Sequence, residues 1–279
     1  MYARDVMTTP VYFVSPDSTV AHARNLMVRH RISRLLVMEG PILTGILTKK
    51  EIAYRLRQGE PAWRRRPLDR IPVGAMATNY PLFVRPDTGI LTIVRLFMEK
   101  NISSVPVFDG ETTAGIVTKT DLMRSALVRH VKGLVGSVME PVATVSRYHS
   151  LNHVVNMMRE RNGKVLVMDD DGTPAGIITE TNLAFFEDEP KMSGAVGKDV
   201  TIKRRQRECG IQGPALMSVA SVTAEDVMTS PVITCFPGTT IPEAIGLMGR
   251  HHVNSLVVME ENTIAGIIKR DDIIKEVAK

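Results

Sequence analysis

Four short stretches of this chain place a carboxylate or carboxamide three residues after a threonine or lysine, each behind a glycine and two apolar residues. They read Gly45-Ile46-Leu47-Thr48-Lys49-Lys50-Glu51, Gly115-Ile116-Val117-Thr118-Lys119-Thr120-Asp121, Gly176-Ile177-Ile178-Thr179-Glu180-Thr181-Asn182 and Gly266-Ile267-Ile268-Lys269-Arg270-Asp271-Asp272. Thr followed at three by Glu or Asp is the reciprocal capping pair of a helix start, so Thr48 with Glu51 and Thr118 with Asp121 serve a helix with no ligand at all. The placement allows more. A strand that ends in a helix start points free amides into the crevice beside it. A carboxylate there can accept both hydroxyls of a ribose, while Thr and the amides meet a phosphate. The two readings are compatible.

The elements that position these groups repeat with them. Met and Pro recur upstream as Met7-Thr8-Thr9-Pro10, Met139-Glu140-Pro141 and Met228-Thr229-Ser230-Pro231, with a looser copy from Met76 to Pro81. In the first copy Val11 to Val14 reads as a strand, and Pro16-Asp17-Ser18-Thr19 supplies a turn and cap. The apolar residues Val20, Ala23, Leu26 and Met27 then recur at helical spacing, with Arg24, Asn25 and Arg29 elsewhere. Two strands, 32–38 and 42–47, flank a turn at Glu39-Gly40-Pro41, and a second helix begins near Thr48. The second copy matches: Leu82 to Val84, Ile90 to Lys100, Val105 to Phe108, Ala114 to Val117, then a helix from Asp121. The fold class is therefore α/β (α+β), built of β-α-β-β-α modules of roughly 60 residues that need neighbours to cover their faces.

Long linkers, Gln58 to Val73 and Phe185 to Thr223, separate copies one from two and three from four, while Arg129 to Ser137 joins two and three briefly. This spacing predicts two tandem pairs. One spans residues 1–130, with repeats at about 1–57 and 70–130. The other spans 131–279, with repeats at about 131–187 and 222–279 and an insertion, 188–221, expected as a hairpin or lid. The 279-residue chain is 44% apolar and 23% charged, an ordinary globular balance. Cys209 and Cys235 are too few for a disulfide framework or thiolate metal site, which points to a reducing cytosol. The start Met1-Tyr2-Ala3-Arg4-Asp5 and strand-sized apolar runs such as Leu35 to Met38 lead us to expect neither a signal peptide nor a membrane span. A formal charge of +5 suits an anionic partner: nucleotide phosphate, nucleic acid or an acidic protein face.

On these residues the four modules resemble the cystathionine β-synthase (CBS) domain, and the tandem pairs resemble its two-repeat Bateman module. A single chain with four repeats is similar to the γ regulatory subunit of AMP-activated protein kinase and its archaeal relatives. The resemblance implies two modules forming a disc, with adenosine ligands (AMP, ADP, ATP or S-adenosylmethionine) in clefts between paired repeats and the motif Asp on the ribose. Only the second copy keeps the full pattern, Gly115, Thr118 and Asp121. The fourth keeps Asp272 but has Lys269 for Thr, which either favours a more anionic ligand or fills the site itself. Glu51 replaces Asp in the first copy. Asn182, behind Thr179, loses the charge, so the third site is expected empty or altered. The resemblance further implies that Asp121 faces Met7, Pro10 and Tyr12, and that Asp272 faces Pro141, Val142 and Ala143. The positions matching phosphate contacts are Ser33-Arg34, Ser103-Ser104, Gly163-Lys164 and Asn254-Ser255, with Arg34, Lys164 and Lys50 as the candidate cations.

Other constellations carry less. His149 and His153 lack a third metal ligand, and His251-His252 either neighbours phosphate or ends a helix. Met27, Met98, Met157, Met158 and Met248 fall on helix faces and read as core. No catalytic spacing, P-loop or dinucleotide fingerprint is present, so no enzyme activity and no catalytic cofactor are expected. The expectation is a cytoplasmic sensor that binds adenine nucleotide and is read by a regulated protein partner, with homodimerisation suggested by surface hydrophobes on the repeat helices. Two alternatives stand beside it: a module for S-adenosylmethionine or methylthioadenosine, and a nucleic-acid-binding protein using the basic linkers Trp63-Arg64-Arg65-Arg66 and Lys203 to Arg207.

Overall fold

The computed structural model describes residues 1–55, 67–110, 112–129, 131–160, 163–186, 200–204, 214–218 and 222–277. The first copy comprises α1 (Ala3–Val6), β1 (Phe13–Val14), α2 (Val20–Arg29), β2 (Arg34–Glu39), β3 (Ile42–Thr48) and α3 (Lys49–Arg55). The second has 3-10 turns at Leu68–Arg70 and Val73–Ala75, then β4 (Thr78–Asn79), α4 (Ile90–Glu99), β5 (Ser104–Phe108), β6 (Thr113–Thr118), α5 (Lys119–Arg124) and α6 (Ala126–Arg129). A 3-10 turn at Val135–Ser137 opens the third, followed by β7 (Ala143–Ser146), α7 (Leu151–Glu160), β8 (Lys164–Met168), β9 (Pro174–Thr179) and α8 (Glu180–Phe185). Within the insertion, β10 (Val200–Arg204) and β11 (Pro214–Ser218) pair antiparallel. The fourth copy is α9 (Ala224–Val227), β12 (Thr234–Cys235), α10 (Ile241–Arg250), β13 (Ser255–Glu260), β14 (Thr263–Lys269) and α11 (Arg270–Val277).

In the first, third and fourth copies the opening strand runs parallel to the middle strand, which pairs antiparallel with the last. The second departs from the expectation, because Leu82 to Val84 makes only a single parallel bridge, Val84 to Val107. The reason lies in one residue. The Leu36 N–H donates to the Tyr12 carbonyl at 3.1 Å in the first copy. Pro106 stands at the position matching Leu36, opposite Ile116 as Leu36 is opposite Ile46, and has no N–H to donate. The main helices of copies one, two and four each stop at a tight left-handed turn. Arg31, Asn101 and His252 hold positive φ, and Ile32, Ile102 and Val253 donate back to Met27, Phe97 and Met248. His252 therefore ends a helix.

The described residues of 1–58, 64–142 and 232–279 form one compact unit, and those of 143–231 a second. In the first unit a single apolar core unites the second and fourth copies. Ile93, Val94 and Phe97 of α4 pack with Ile241, Ala244 and Met248 of α10 and with Ile273 and Ile274 of α11. Each of these side chains larger than alanine contributes about 1.5–3 kcal/mol when fully buried. In the second unit the buried face of α7 is Leu151, Val154, Val155 and Met158, and Val165, Leu166 and Val167 of β8 are likewise buried. No described helix is long and apolar enough to cross a membrane.

The segment in front of each copy, which the sequence reading left without structure, docks on another copy. Ala3 N–H donates to the Thr88 carbonyl and Val73 N–H to Ser18, while Thr8 and Ile116 exchange both backbone bonds. Thr78 pairs with Ile46, Glu140 with Ile267 and Thr229 with Ile177. The motif glycines make this approach close. A Cβ on Gly115 would lie 2.6 Å from Met7 Sδ, whereas on Gly266 it would lie 2.6 Å from the Glu140 carbonyl oxygen. A thioether swings aside and a paired carbonyl does not. Gly266→Ala is therefore expected to destabilise by about 1–3 kcal/mol in urea unfolding, and Gly115→Ala by less, with recovery when combined with Met7→Ala.

Candidate functional site

Asp121 is only 9% exposed at the start of α5. Its Oδ2 accepts the Thr118 N–H at 2.8 Å and the Thr118 hydroxyl at 2.6 Å, and its Oδ1 accepts the Thr8 hydroxyl at 2.7 Å. The capping pair and the contact with another copy thus meet in one side chain. Met7 covers Gly115 beside it. Pro10 is exposed and follows a cis peptide bond, and the Tyr12 and His30 rings pack with centroids 4.1 Å apart.

The other copies build the same frame with different chemistry. In the first, Glu51 Oε2 accepts the Thr48 N–H and hydroxyl, while Oε1 receives only a long contact of 3.4 Å from the Thr78 hydroxyl. In the third, Asn182 Oδ1 accepts the Thr179 N–H and hydroxyl at 3.0 and 2.7 Å, and Nδ2 donates to the Val227 carbonyl at 2.9 Å and the Thr229 hydroxyl at 2.8 Å. All the hydrogen-bonding capacity of that carboxamide is used. In the fourth, Asp272 is 2% exposed and accepts the Lys269 N–H at 2.9 Å. Lys269 Nζ lies 2.5 Å from Glu140 Oε2, and Lys275 Nζ bridges Glu140 Oε1 at 2.7 Å and Asp272 Oδ1 at 3.3 Å.

Four residues absent from the sequence-based site are therefore central: Thr78, Thr8, Thr229 and Glu140. Their signal was present, since each follows Met or Ala at one fixed place in the opening segment. Tertiary pairing is what links that place to the motif. Of the candidate cations, Arg34 Nη1 donates to the Ser103 carbonyl at 2.8 Å, and the Lys49 ammonium is lowered by burial and then by the Arg34 guanidinium. Lys50 is exposed, with its N–H on the Thr48 hydroxyl at 3.2 Å. Lys164 opens β8 half-buried, and the carbonyls of Ser33, Ser103 and Asn254 each accept the first N–H of the following helix. At the start of α11, Arg270 donates to the Thr120 hydroxyl and Asp271 meets Lys119 at 2.9 Å, joining the helix starts of copies two and four.

His149 and His153 stack at 4.5 Å, and His149 Nδ1 accepts the Ser146 N–H. No group of three or more His, Cys, Asp or Glu suited to a metal occurs among the described residues. Trp63 to Arg66, Arg205, Gln206, Arg207 and Cys209 lie outside the described residues.

The Asp272 cluster has a pH signature. Burial raises the Asp272 carboxyl to about 6 against the opposing pull of the Lys269 N–H and ammonium. Burial also raises Glu140, but hydrogen bonds from Lys269 and Lys275 outweigh it and hold that carboxyl down to about 2. An acid with a raised pKa is penalised once ionised, so the Asp272 contribution falls as pH climbs from about 4 to about 6. The Glu140 contribution is present above about pH 4.5 and fades towards pH 2. Asp272→Asn keeps an oxygen for the Lys269 N–H and removes the first slope. Between about pH 4 and pH 7 the variant is expected to gain on the wild type by on the order of 3 kcal/mol, measured by urea unfolding across that range.

Comparison with known proteins places this frame. The chain is similar over 99% of its length to 99% of a solved protein of Methanocaldococcus jannaschii, described as a proposed archaeal homologue of γ-AMPK, with a TM-score of 0.79 and 20% identity. A conserved uncharacterized protein of Pyrococcus horikoshii is similar with a TM-score of 0.62 and 17% identity, over 99% of this chain and 100% of that one. In sequence, 99% of the chain is 22% identical to an uncharacterized protein of Methanocaldococcus jannaschii and spans 61% of it. A 44% portion is 30% identical to an A-adding tRNA nucleotidyltransferase of Geobacter sulfurreducens and spans 13% of that protein. The CBS domain family matches residues 3–58, 73–127, 135–188 and 224–279, so the chain belongs to the CBS domain family.

Proposed function

We propose that this chain is a non-catalytic regulatory protein that binds an adenine nucleotide (AMP, ADP or ATP) at Asp121, in the cleft where the second copy meets the opening segment of the first. The observation that carries this reading is the state of the Asp121 carboxylate. It offers about four acceptor positions. The Thr8 hydroxyl takes one, and the N–H and hydroxyl of Thr118 take two. Oδ1 therefore keeps an open lone pair and a hydroxyl partner that can rotate away, which suits the paired hydroxyls of a ribose. The amides at the start of α5 favour negative charge nearby. Glu51 offers a second, looser carboxylate through Oε1. The reciprocal pairing of Thr8 with Ile116 and Thr78 with Ile46 supports copies one and two acting as one binding pair.

A ligand regulates only by preferring one of two shapes. Here both sides of the cleft come from different copies, so a nucleotide bound to Asp121 and Thr8 together favours the closed arrangement, and a partner protein would read that bias. Calorimetric titration with AMP, ADP, ATP and S-adenosylmethionine tests the reading. Asp121→Ala is expected to weaken AMP binding at least about tenfold, about 1.4 kcal/mol. Unchanged affinity in that variant overturns the site. A preference for S-adenosylmethionine or methylthioadenosine keeps the cleft but changes the ligand. Binding of RNA or DNA that is steeply salt-dependent and indifferent to Asp121→Ala would replace the reading altogether.

A further inference from the structure

The four copies serve as internal controls for one another, and the fourth departs from the rest at two positions that touch. Where the other motifs carry Thr48, Thr118 and Thr179, the fourth carries Lys269. Where the other opening segments present Thr78, Thr8 and Thr229, the segment paired with Ile267 presents Glu140. These residues are 129 positions apart in the chain and in contact, Nζ to Oε2, at 2.5 Å. Two hydroxyls have been exchanged for a matched cation and anion.

Resting on the nucleotide reading of the Asp121 cleft, we infer that the fourth cleft is closed to nucleosides by its own side chains, the Lys269–Glu140 pair standing where a ligand would act. Three observations carry this. The aspartate oxygen that faces the neighbouring copy meets one rotatable hydroxyl, Thr8, at Asp121, whereas in Asp272 it is held by the Lys275 ammonium, which is itself tied to Glu140. The longer Lys and Glu side chains occupy space that two Thr side chains leave free, and Lys269 is itself buried. The group also balances: Lys269 and Lys275 oppose Glu140 and Asp272, so no net positive charge remains to draw in a phosphate. A nucleotide would have to part a mutually hydrogen-bonded set of charges in which Lys269 and Asp272 are buried, and breaking one partner of such a set leaves the others uncompensated. Of the two consequences expected for Lys269, attraction of a more anionic ligand and filling of the site, this geometry favours the second. The fourth copy then acts as a permanent strut, and only the remaining clefts vary with ligand.

The test uses the full chain with AMP as probe and four variants: Glu140→Thr, Lys269→Thr, the two combined, and Asp272→Asn. Glu140→Thr strands the buried Lys269 ammonium, and Lys269→Thr leaves the half-buried Glu140 with Lys275 alone, so each is expected to lower the unfolding midpoint by more than the double variant does. The double variant should bind one more equivalent of AMP than the wild type in calorimetry, and Asp272→Asn should leave the wild-type stoichiometry unchanged. Single losses that simply add in the double variant overturn the inference. So does loss of one AMP equivalent in Asp272→Asn, or a double variant that gains no site while the wild type binds AMP. If the wild type binds no AMP at all, it is the nucleotide reading that fails, and the unfolding comparison decides the strut by itself.

Discussion

A polar side chain buried at the start of a helix must find hydrogen-bond partners, and in this chain a side chain from another copy joins each such network. The capping pair satisfies the near side of Asp121, and the Thr8 hydroxyl reaches its far side across a pair of backbone hydrogen bonds. Glu51 with Thr78, Asn182 with Thr229 and Asp272 with Glu140 and its lysines repeat the arrangement. The constraint explains why the modules do not stand alone. An isolated copy would leave its motif acid half-satisfied and the edge of its last strand bare. It also explains the glycine at the head of each motif, because a side chain there would strike the incoming segment.

The same frame yields four different sites because a few residues set the remaining capacity of each. Asp121 and Glu51 keep open oxygen lone pairs, the Asn182 carboxamide is saturated, and Asp272 is enclosed by charge. Repetition thus supplies the scaffold, and local substitution sets how much hydrogen-bonding capacity each copy leaves open.

Copies two and four are further tied at their helix starts. Lys119 meets Asp271 and Arg270 meets Thr120, above a core in which α4, α10 and α11 pack together. Burial of Arg270 disfavours its charge, which Asp271 supports, Arg124 opposes and Asp121 supports. A strained or displaced α5 would therefore be felt at α11. Packed interfaces of this kind shift between discrete arrangements rather than bending smoothly.

By itself the sequence determined the module. Period-2 and period-3.6 patterning, the Thr-x-x-Asp capping pair and Gly40 in the turn dictated strand, helix, strand, strand, helix, because those signals act within a few residues. The four motif positions were legible for the same reason, as was the loss of charge at Asn182. Pro106 could have warned that the second copy would lack a full opening strand, but only with the register in hand. What the tertiary structure alone decided was which residue meets which motif. The contacts of Thr8, Thr78, Thr229 and Glu140, the Lys269–Glu140 pair and the joining of α5 to α11 all link distant segments. Short-range patterning cannot encode them, since a hydroxyl or carboxylate in an opening segment looks the same whether it faces water or another copy's helix.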